Sequence, residues 1–194
     1  FPKTTEDVLE SVRAANELNI PIVARGGGTG LAGQTVGTGL ILDFSKYMNQ
    51  ILEFNAEERW VRVQPGVVLD ELNAILKPDG LHFAPDVATS SRATIGGMVS
   101  NNSAGAHSVK YGKTIDHVLA LELVLPDGEV VQLGSPTGVV HGYDLVGAVV
   151  GSEGTLGVVT AATVRLTPAP ERVETLLAVF PDVVSSCRAV GAIV

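Results

Sequence analysis

Arg25, Gly26, Gly27, Gly28, Thr29 and Gly30 form a run whose residue types favour one kind of chemistry, the cradling of an anion by backbone. Glycine lets the chain take positive φ and come close to another group with no Cβ in the way. Consecutive amides in such a turn point inward as a nest, while Thr29 adds a hydroxyl and Arg25 a fixed positive charge. Seven of the fourteen residues from Gly26 to Gly39 are glycine, directly behind the apolar stretch Ile20-Pro21-Ile22-Val23-Ala24. The group expected there is a phosphate.

Two phosphate motifs compete for this run and both fail. Gly28-x-Gly30-x-x-Gly33 matches the dinucleotide fingerprint by letter, with Glu53 about twenty residues further on where a ribose-binding acid belongs. That motif needs a helix after its last glycine, and Thr35-Val36-Gly37-Thr38-Gly39 is a very poor helix. A nucleotide triphosphatase loop requires lysine after the last glycine, where Gln34 stands. Taken alone, the segment also permits a glycine-rich turn with no ligand. Residues 94–105, which follow Pro85-Asp86 and precede Tyr111-Gly112, and residues 151–157 are two further patches of small residues. Three patches flanked by apolar strands point to one long ligand lying along backbone.

The elements that must position these patches read as follows. Thr4 is an N-cap with Glu6 and Asp7 in the first turn, and Val8, Leu9, Val12, Ala15 and Leu18 recur at helical spacing until Asn19. Residues 21–24 and 40–43 read as short buried strands on either side of the glycine loop. Trp60 to Val63 is a strand closed by Pro65-Gly66, and Leu69, Leu72 and Leu76 mark an amphipathic helix ended by Pro78-Asp79-Gly80. Residues 119–125 and 129–133 flank Pro126-Asp127-Gly128 as a hairpin, and residues 157–166 form one long β-branched strand. The expectation is an α+β chain with a small N-terminal αβ lobe over residues 1–52 and a larger, mostly antiparallel sheet lobe with helices over 53–170.

Composition narrows the partners. The 194 residues carry a formal net charge of −8. With a pI near 4.9 and no basic stripe, nucleic acid is not expected as a partner. No apolar run approaches the ~18 residues of a membrane span, and no basic-then-apolar leader is seen, so a cytoplasmic protein is expected. A mean hydropathy of +0.31 is apolar for an isolated domain, and a further domain covering part of this surface is expected. Cys187 has no partner for a disulfide and no companion at metal-ligand spacing. His82, His107, His117 and His141 show no close ligand spacing, so no metal site is expected; His141 reads as an exposed loop residue. His107 follows the second small-residue patch and reads as a supporting or structural residue.

Taken in order, the motifs 25–33, Pro85-Asp86 with Thr94-Ile95-Gly96-Gly97, Tyr111-Gly112-Lys113-Thr114, and 151–160 resemble the FAD-binding domain of the FAD-linked oxidases, of the vanillyl-alcohol oxidase or PCMH type. The likeness is nearest to the flavoprotein subunit of glycolate oxidase and to D-lactate dehydrogenases, and covers residues 2–170. It implies a PCMH-type fold with FAD between the lobes. Gly26, Gly27, Gly28, Thr29, Gly30 and Leu31 would then hold the pyrophosphate. Pro85, Asp86, Thr89, Ile95, Gly96, Gly97, Asn102 and Gly105 would line the middle of the cofactor, and Glu153, Gly157 and Val159 would bracket the rest. Glycine at 96, 97 and 157 is expected because a flat ring must approach the main chain. Some members carry a histidine in the glycine loop that bonds the flavin; Thr29 stands at that place, so noncovalent FAD is expected.

The same resemblance implies oxidation of a small 2-hydroxy acid of the glycolate or D-lactate type by hydride transfer to FAD, with an iron-sulfur subunit as electron acceptor. A sugar-acid or alditol oxidase is the alternative within enzymes, and a nucleotide-binding module without redox chemistry is the alternative outside them. In the family a following cap domain supplies the substrate-binding arginines and the histidines that act as base or metal ligands. Residues 171–194 resemble its first strand, at 176–180, and first helix, from Val183. No base for the hydroxyl proton and no cation for the carboxylate are evident in this chain, so its catalytic residues are unassigned and slow or absent turnover is expected.

Overall fold

The computed structural model describes residues 1–139 and 142–193; the sequence reading of His141 lies outside the described residues. The first helix, α1 (Thr5–Glu17), starts as its sequence dictates. The Thr4 side chain accepts from the Asp7 amide and Asp7 reaches back, a capping box, and Val8, Leu9, Val12 and Ala15 are buried. Leu18 continues the spacing but sits at the C-cap and is exposed, because α1 ends there. Next come β1 (Ile22–Arg25) and β2 (Leu40–Asp43), paired in parallel across the glycine loop. Leu40 and Ile41 keep more than a third of their surface exposed, so these strands are less buried than their composition predicts. A two-stranded sheet offers little area, and only Leu42, followed by Phe44, reaches the core.

The larger lobe is built on a five-stranded sheet made of β3 (Ile51–Asn55), β4 (Trp60–Val63), β6 (Val118–Val124), β7 (Val130–Gly134) and β8 (Val158–Arg165). Their order is β3-β4-β8-β6-β7, antiparallel throughout. The long β-branched strand lies at the centre, where it pairs on both edges and is buried for most of its length. Two helices cover one face, α2 (Leu69–Leu76) and α3 (Ile95–Asn101), and their Leu72, Leu76, Ile95 and Val99 join Val61, Leu121, Leu123 and Val164 in the main core. Fully burying each such side chain contributes about 1.5–3 kcal/mol. Helix α1 lies on the opposite face, where Val8, Leu9 and Val12 meet Val124 and Val158 in a second core that also takes in Leu42, Phe44 and Met48.

The remaining elements are β5 (Leu81–His82), α4 (Ser108–Tyr111), α5 (Leu145–Val149), β9 (Thr167–Pro168) and α6 (Val183–Ile193). The helix expected from Val183 is present, but residues 176–180 form no strand and Leu176, Leu177 and Val179 are exposed. A strand needs a partner edge for its amides, and among the described residues none is placed beside this segment. Helix α3 was not legible as a helix, because Gly96 and Gly97 occupy its first turn. Among the described residues no helix is long and apolar enough to cross a membrane.

Candidate functional site: a cleft between the lobes

A cavity of about 470 Å³ runs between the two lobes. One wall is β1, the glycine loop from Gly26 to Ala32, and Gln34; the other is Pro65, Thr89, Ala93, Thr94, Gly96, Gly97 and Met98. Ser100, Asn101, Ser103, Glu153 and Gly154 close one end, and Val159 of β8 contributes from the central sheet.

The glycine wall begins where the β1–β2 ladder stops. Phe44 donates its amide to the Arg25 carbonyl at 3.0 Å, and the chain then leaves the sheet. Gly28 takes a φ of 68°, a conformation that disfavours any Cβ. Among the described residues, no backbone carbonyl accepts from the amides of residues 26–31. None of residues 26–31 is buried, so these unused amides are open to the cavity and suited to gather around an anion as a nest. The Arg25 guanidinium lies against Gly28, and its Nε is 3.8 Å from Asp43 Oδ2. The charge is thus held beside the loop by a partly exposed carboxylate that only partly offsets it.

The facing wall is organised by α3. Thr94 is buried, caps the helix by accepting from the Gly97 amide, and packs against Gly26. The first helix amides are already used, Ile95 donating to the Val67 carbonyl at 2.8 Å and Gly96 to that of Pro65 at 2.9 Å. The two glycines of this turn then part company. A Cβ on Gly96 would meet Pro65 Cβ at 2.5 Å, so its missing side chain is filled by protein. One on Gly97 would meet only Thr94 Oγ1, at 3.3 Å, and otherwise project toward the cavity. Of the three glycines expected to admit a flat ring, Gly97 leaves open space, whereas close packing accounts for Gly96 and likewise for Gly157, whose Cβ would meet the Val124 carbonyl at 2.9 Å. The third patch is tied to the same helix, with Gly151 donating to the Val99 carbonyl at 2.9 Å and Glu153 to that of Ser100 at 2.8 Å.

The cleft thus gathers Gly26, Gly27, Gly28, Thr29, Gly30, Leu31, Thr89, Gly96, Gly97, Glu153 and Val159 from the residues singled out in the sequence. Pro85, Asp86, Ile95, Asn102, Gly105 and Gly157 do not line it. Ile95 belongs to the core, and Asn102 accepts the Ile115 amide at 3.0 Å through Oδ1. Asp86 accepts from the His107 ring at 2.7 Å, and Gly105 packs on the Asp86 backbone, so these three form a joint behind the cleft. The sequence reading did not single out Gln34, Pro65, Ser100, Asn101 and Ser103 as ligand contacts. Ser100, Asn101 and Ser103 lie within the small-residue patch 94–105 and Gln34 directly follows Gly33, whereas Pro65 reads only as a turn residue.

Two ionisable groups away from the cleft are perturbed. Burial pushes the His82 imidazole below its ordinary value, against the pull of the Thr167 carbonyl and aided by nearby His117. For Glu122, burial works against the charged form, yet hydrogen bonds from Thr160, Thr5 and Gln132 together with the Arg62 charge outweigh it and hold the carboxyl low. His117 is buried, donating from Nε2 to the Tyr111 carbonyl at 2.7 Å. None of the described histidines lines the cleft, and no group of three or more His, Cys, Asp or Glu among the described residues could hold a metal ion.

A glycine-loop cradle of unpaired amides, a small-residue helix opposite it and an antiparallel sheet beneath describe a flavin-binding module. The chain belongs to the FAD binding domain family, whose sequence profile matches residues 1–134. It is 41% identical over 196 residues to the glycolate oxidase subunit GlcD of Bacillus subtilis, an alignment covering 100% of this chain and 42% of that protein. It is 51% identical over 134 residues to the D-2-hydroxyglutarate dehydrogenase of Haemophilus influenzae, covering 68% of this chain and 13% of that one. Among solved structures, alkyldihydroxyacetonephosphate synthase superposes with a TM-score of 0.75 at 28% identity, over 88% of this chain and 34% of that one. The chain therefore spans less than half the length of these relatives, and FAD is the cofactor of the domain.

Proposed function

We propose that the chain is the flavin-holding part of a dehydrogenase or oxidase that oxidises a small 2-hydroxy acid of the glycolate or D-lactate type. The observation that supports this most is the set of unpaired amides over residues 26–31 facing a cleft, in a chain similar to enzymes named for such acids. When bound, FAD supplies a hydride acceptor. The chain's own part is to bind and orient it: the amides of Gly26 to Leu31 and the Thr29 hydroxyl hold the pyrophosphate, Arg25 offsets its charge, and Gly97 leaves room for the flat part of the molecule against α3. Pro85, Asp86, Asn102 and Gly105 act one step removed, by fixing the loop and helix that form the walls. A lysine or arginine clamp for a carboxylate and a base for the hydroxyl proton come from outside this cleft, whose described ionisable residues are Arg25 and Glu153.

Residues 1–170 are proposed as the flavin unit, and residues 171–194, in which Leu176, Leu177, Val179 and Val183 are exposed, as the opening of a cap domain that completes the substrate site. With Thr29 in the loop, FAD is held noncovalently. Electrons leave to a partner, proposed as an iron-sulfur subunit because one relative is itself named a subunit. A cytoplasmic setting is proposed, where the exposed Cys187 thiol stays reduced. The test is visible absorption of the purified full protein, which should show oxidised flavin that glycolate, D-lactate or D-2-hydroxyglutarate bleaches. All flavin should enter the supernatant on acid precipitation. Flavin with no bleaching by any 2-hydroxy acid would refute the substrate class, and no flavin at all would refute the site.

A further inference from the structure

Gln34 lies just beyond the glycine loop and Asn101 on the last turn of α3, so they face each other across one end of the cleft. Gln34 Nε2 donates to Asn101 Oδ1 at 2.9 Å, and Asn101 Nδ2 donates to the Gly97 carbonyl at 2.9 Å. The direction of this relay is set by its anchor. A backbone carbonyl can only accept, so Asn101 must turn its amide nitrogen to Gly97 and its oxygen to Gln34. Gln34 must then give its own nitrogen to Asn101, which leaves Oε1 as the free end. That oxygen is sealed from water, and no donor among the described residues reaches it. It lies beside Gly30, where a Cβ would come within 2.8 Å, and both residues line the cleft.

An unpaired buried acceptor is costly to keep. The pyrophosphate cannot relieve it, because its oxygens carry no proton at neutral pH. A hydroxyl or an N–H can. We infer that Gln34 and Asn101 form a clasp that positions the glycine loop over bound FAD, and that Gln34 Oε1 accepts a hydrogen bond from a hydroxyl or N–H of the cofactor. Both are positioning residues; neither touches the substrate.

The test uses the full protein, stripped of flavin and titrated with FAD by flavin fluorescence. Wild type, Q34M, N101L and the double variant are compared, each also melted without flavin. Methionine keeps the volume of glutamine but neither donates nor accepts in the same way. Either single variant is expected to raise the Kd for FAD about tenfold, the worth of one well-made buried hydrogen bond. The double variant should be no worse than the singles, because the pair acts as a unit. Flavin-free Q34M should melt close to the wild-type temperature, since it removes an unpaired acceptor while Asn101 Oδ1, at an exposed position, exchanges its Gln34 donor for water. A Kd within about twofold of wild type, additive effects, or a flavin-free protein that melts lower in step with its Kd would overturn the clasp. Failure of the wild type to bind FAD would overturn the cleft assignment beneath it. Repeating the titration with N3-methyl-FAD separates the donors: if ring N3–H is the one, wild type discriminates against the methylated form and Q34M does not. Equal affinity ratios in both proteins assign the donor to a hydroxyl or to the adenine amino group.

Discussion

Where α1 crosses the five-stranded sheet, Val8, Leu9 and Val12 close against Val124 and Val158, and Thr5 donates to Glu122 at 2.8 Å. Where the glycine loop faces α3, the same two lobes stand apart and leave amides unpaired over a cavity. The first seam is made of large apolar side chains around one satisfied carboxylate. The second mixes glycines, hydroxyls and amides with apolar side chains such as Val23, Pro65, Met98 and Val159 that line a cavity and do not close it. The difference teaches that the lobes are held together at one seam so that the other can stay open for a ligand, whose binding then adds stability by mass action.

The sharpest test lies in neighbouring residues that sit on opposite sides of this distinction. Gly96→Ala drives a methyl into Pro65 and should cost about 3 kcal/mol of stability by denaturant unfolding. Gly97→Ala should be neutral or slightly stabilising, because alanine favours the helix, yet should weaken FAD binding as its methyl enters the cleft. Equal losses of stability at both positions would erase the contrast. At the closed seam, Val8→Ala should cost about 2 kcal/mol through lost burial and a cavity, while FAD affinity measured well below the melting temperature stays close to wild type.

The carboxylate of the closed seam makes a pH prediction. Glu122 is held below its ordinary value of 4.5, so the folded state binds its proton less readily than the unfolded chain. Its contribution is complete above that value and is lost as pH falls through the lower folded value. Glu122→Gln should therefore flatten the acid limb of a plot of stability against pH. The smallest effect expected is at His82, also lowered but half exposed to screening. There the unfolded chain takes up a proton near pH 6.5 that the folded chain resists, so stability should fall modestly as pH drops below 6.5. His82→Gln should remove that slope; an unchanged melting curve between pH 7.5 and 5.5 in wild type would show the group to be unperturbed.

Much of the fold was legible because its signals are local. The Thr4 cap, the Leu69-Leu72-Leu76 spacing and the Pro126-Asp127-Gly128 turn each act within a few residues, and the elements they mark are present. Helix α3 was hidden because its stability comes from Thr94 and from amides given to Pro65 and Val67, which are distant in sequence. Residues 176–180 misled for the converse reason. Their composition suits a strand, but a strand exists only where another edge accepts its amides.

For the site, the order of glycine-rich motifs was sufficient to name the ligand class, since glycine and an absent side chain carry their meaning wherever the fold puts them. Thr29 carried meaning only through the family resemblance, as the residue standing where some members have a flavin-linking histidine. Which glycines leave open space and which are filled by protein was visible only in three dimensions: Gly97 opens on the cleft, while Gly96 is filled by Pro65 and Gly105 by the Asp86 backbone. The same holds for Gln34, Asn101 and the Asp86–His107 pair, whose meaning lies in hydrogen bonds between segments far apart in the chain. Residue type fixes what a group can donate, accept or leave empty; only tertiary contact decides what stands opposite it.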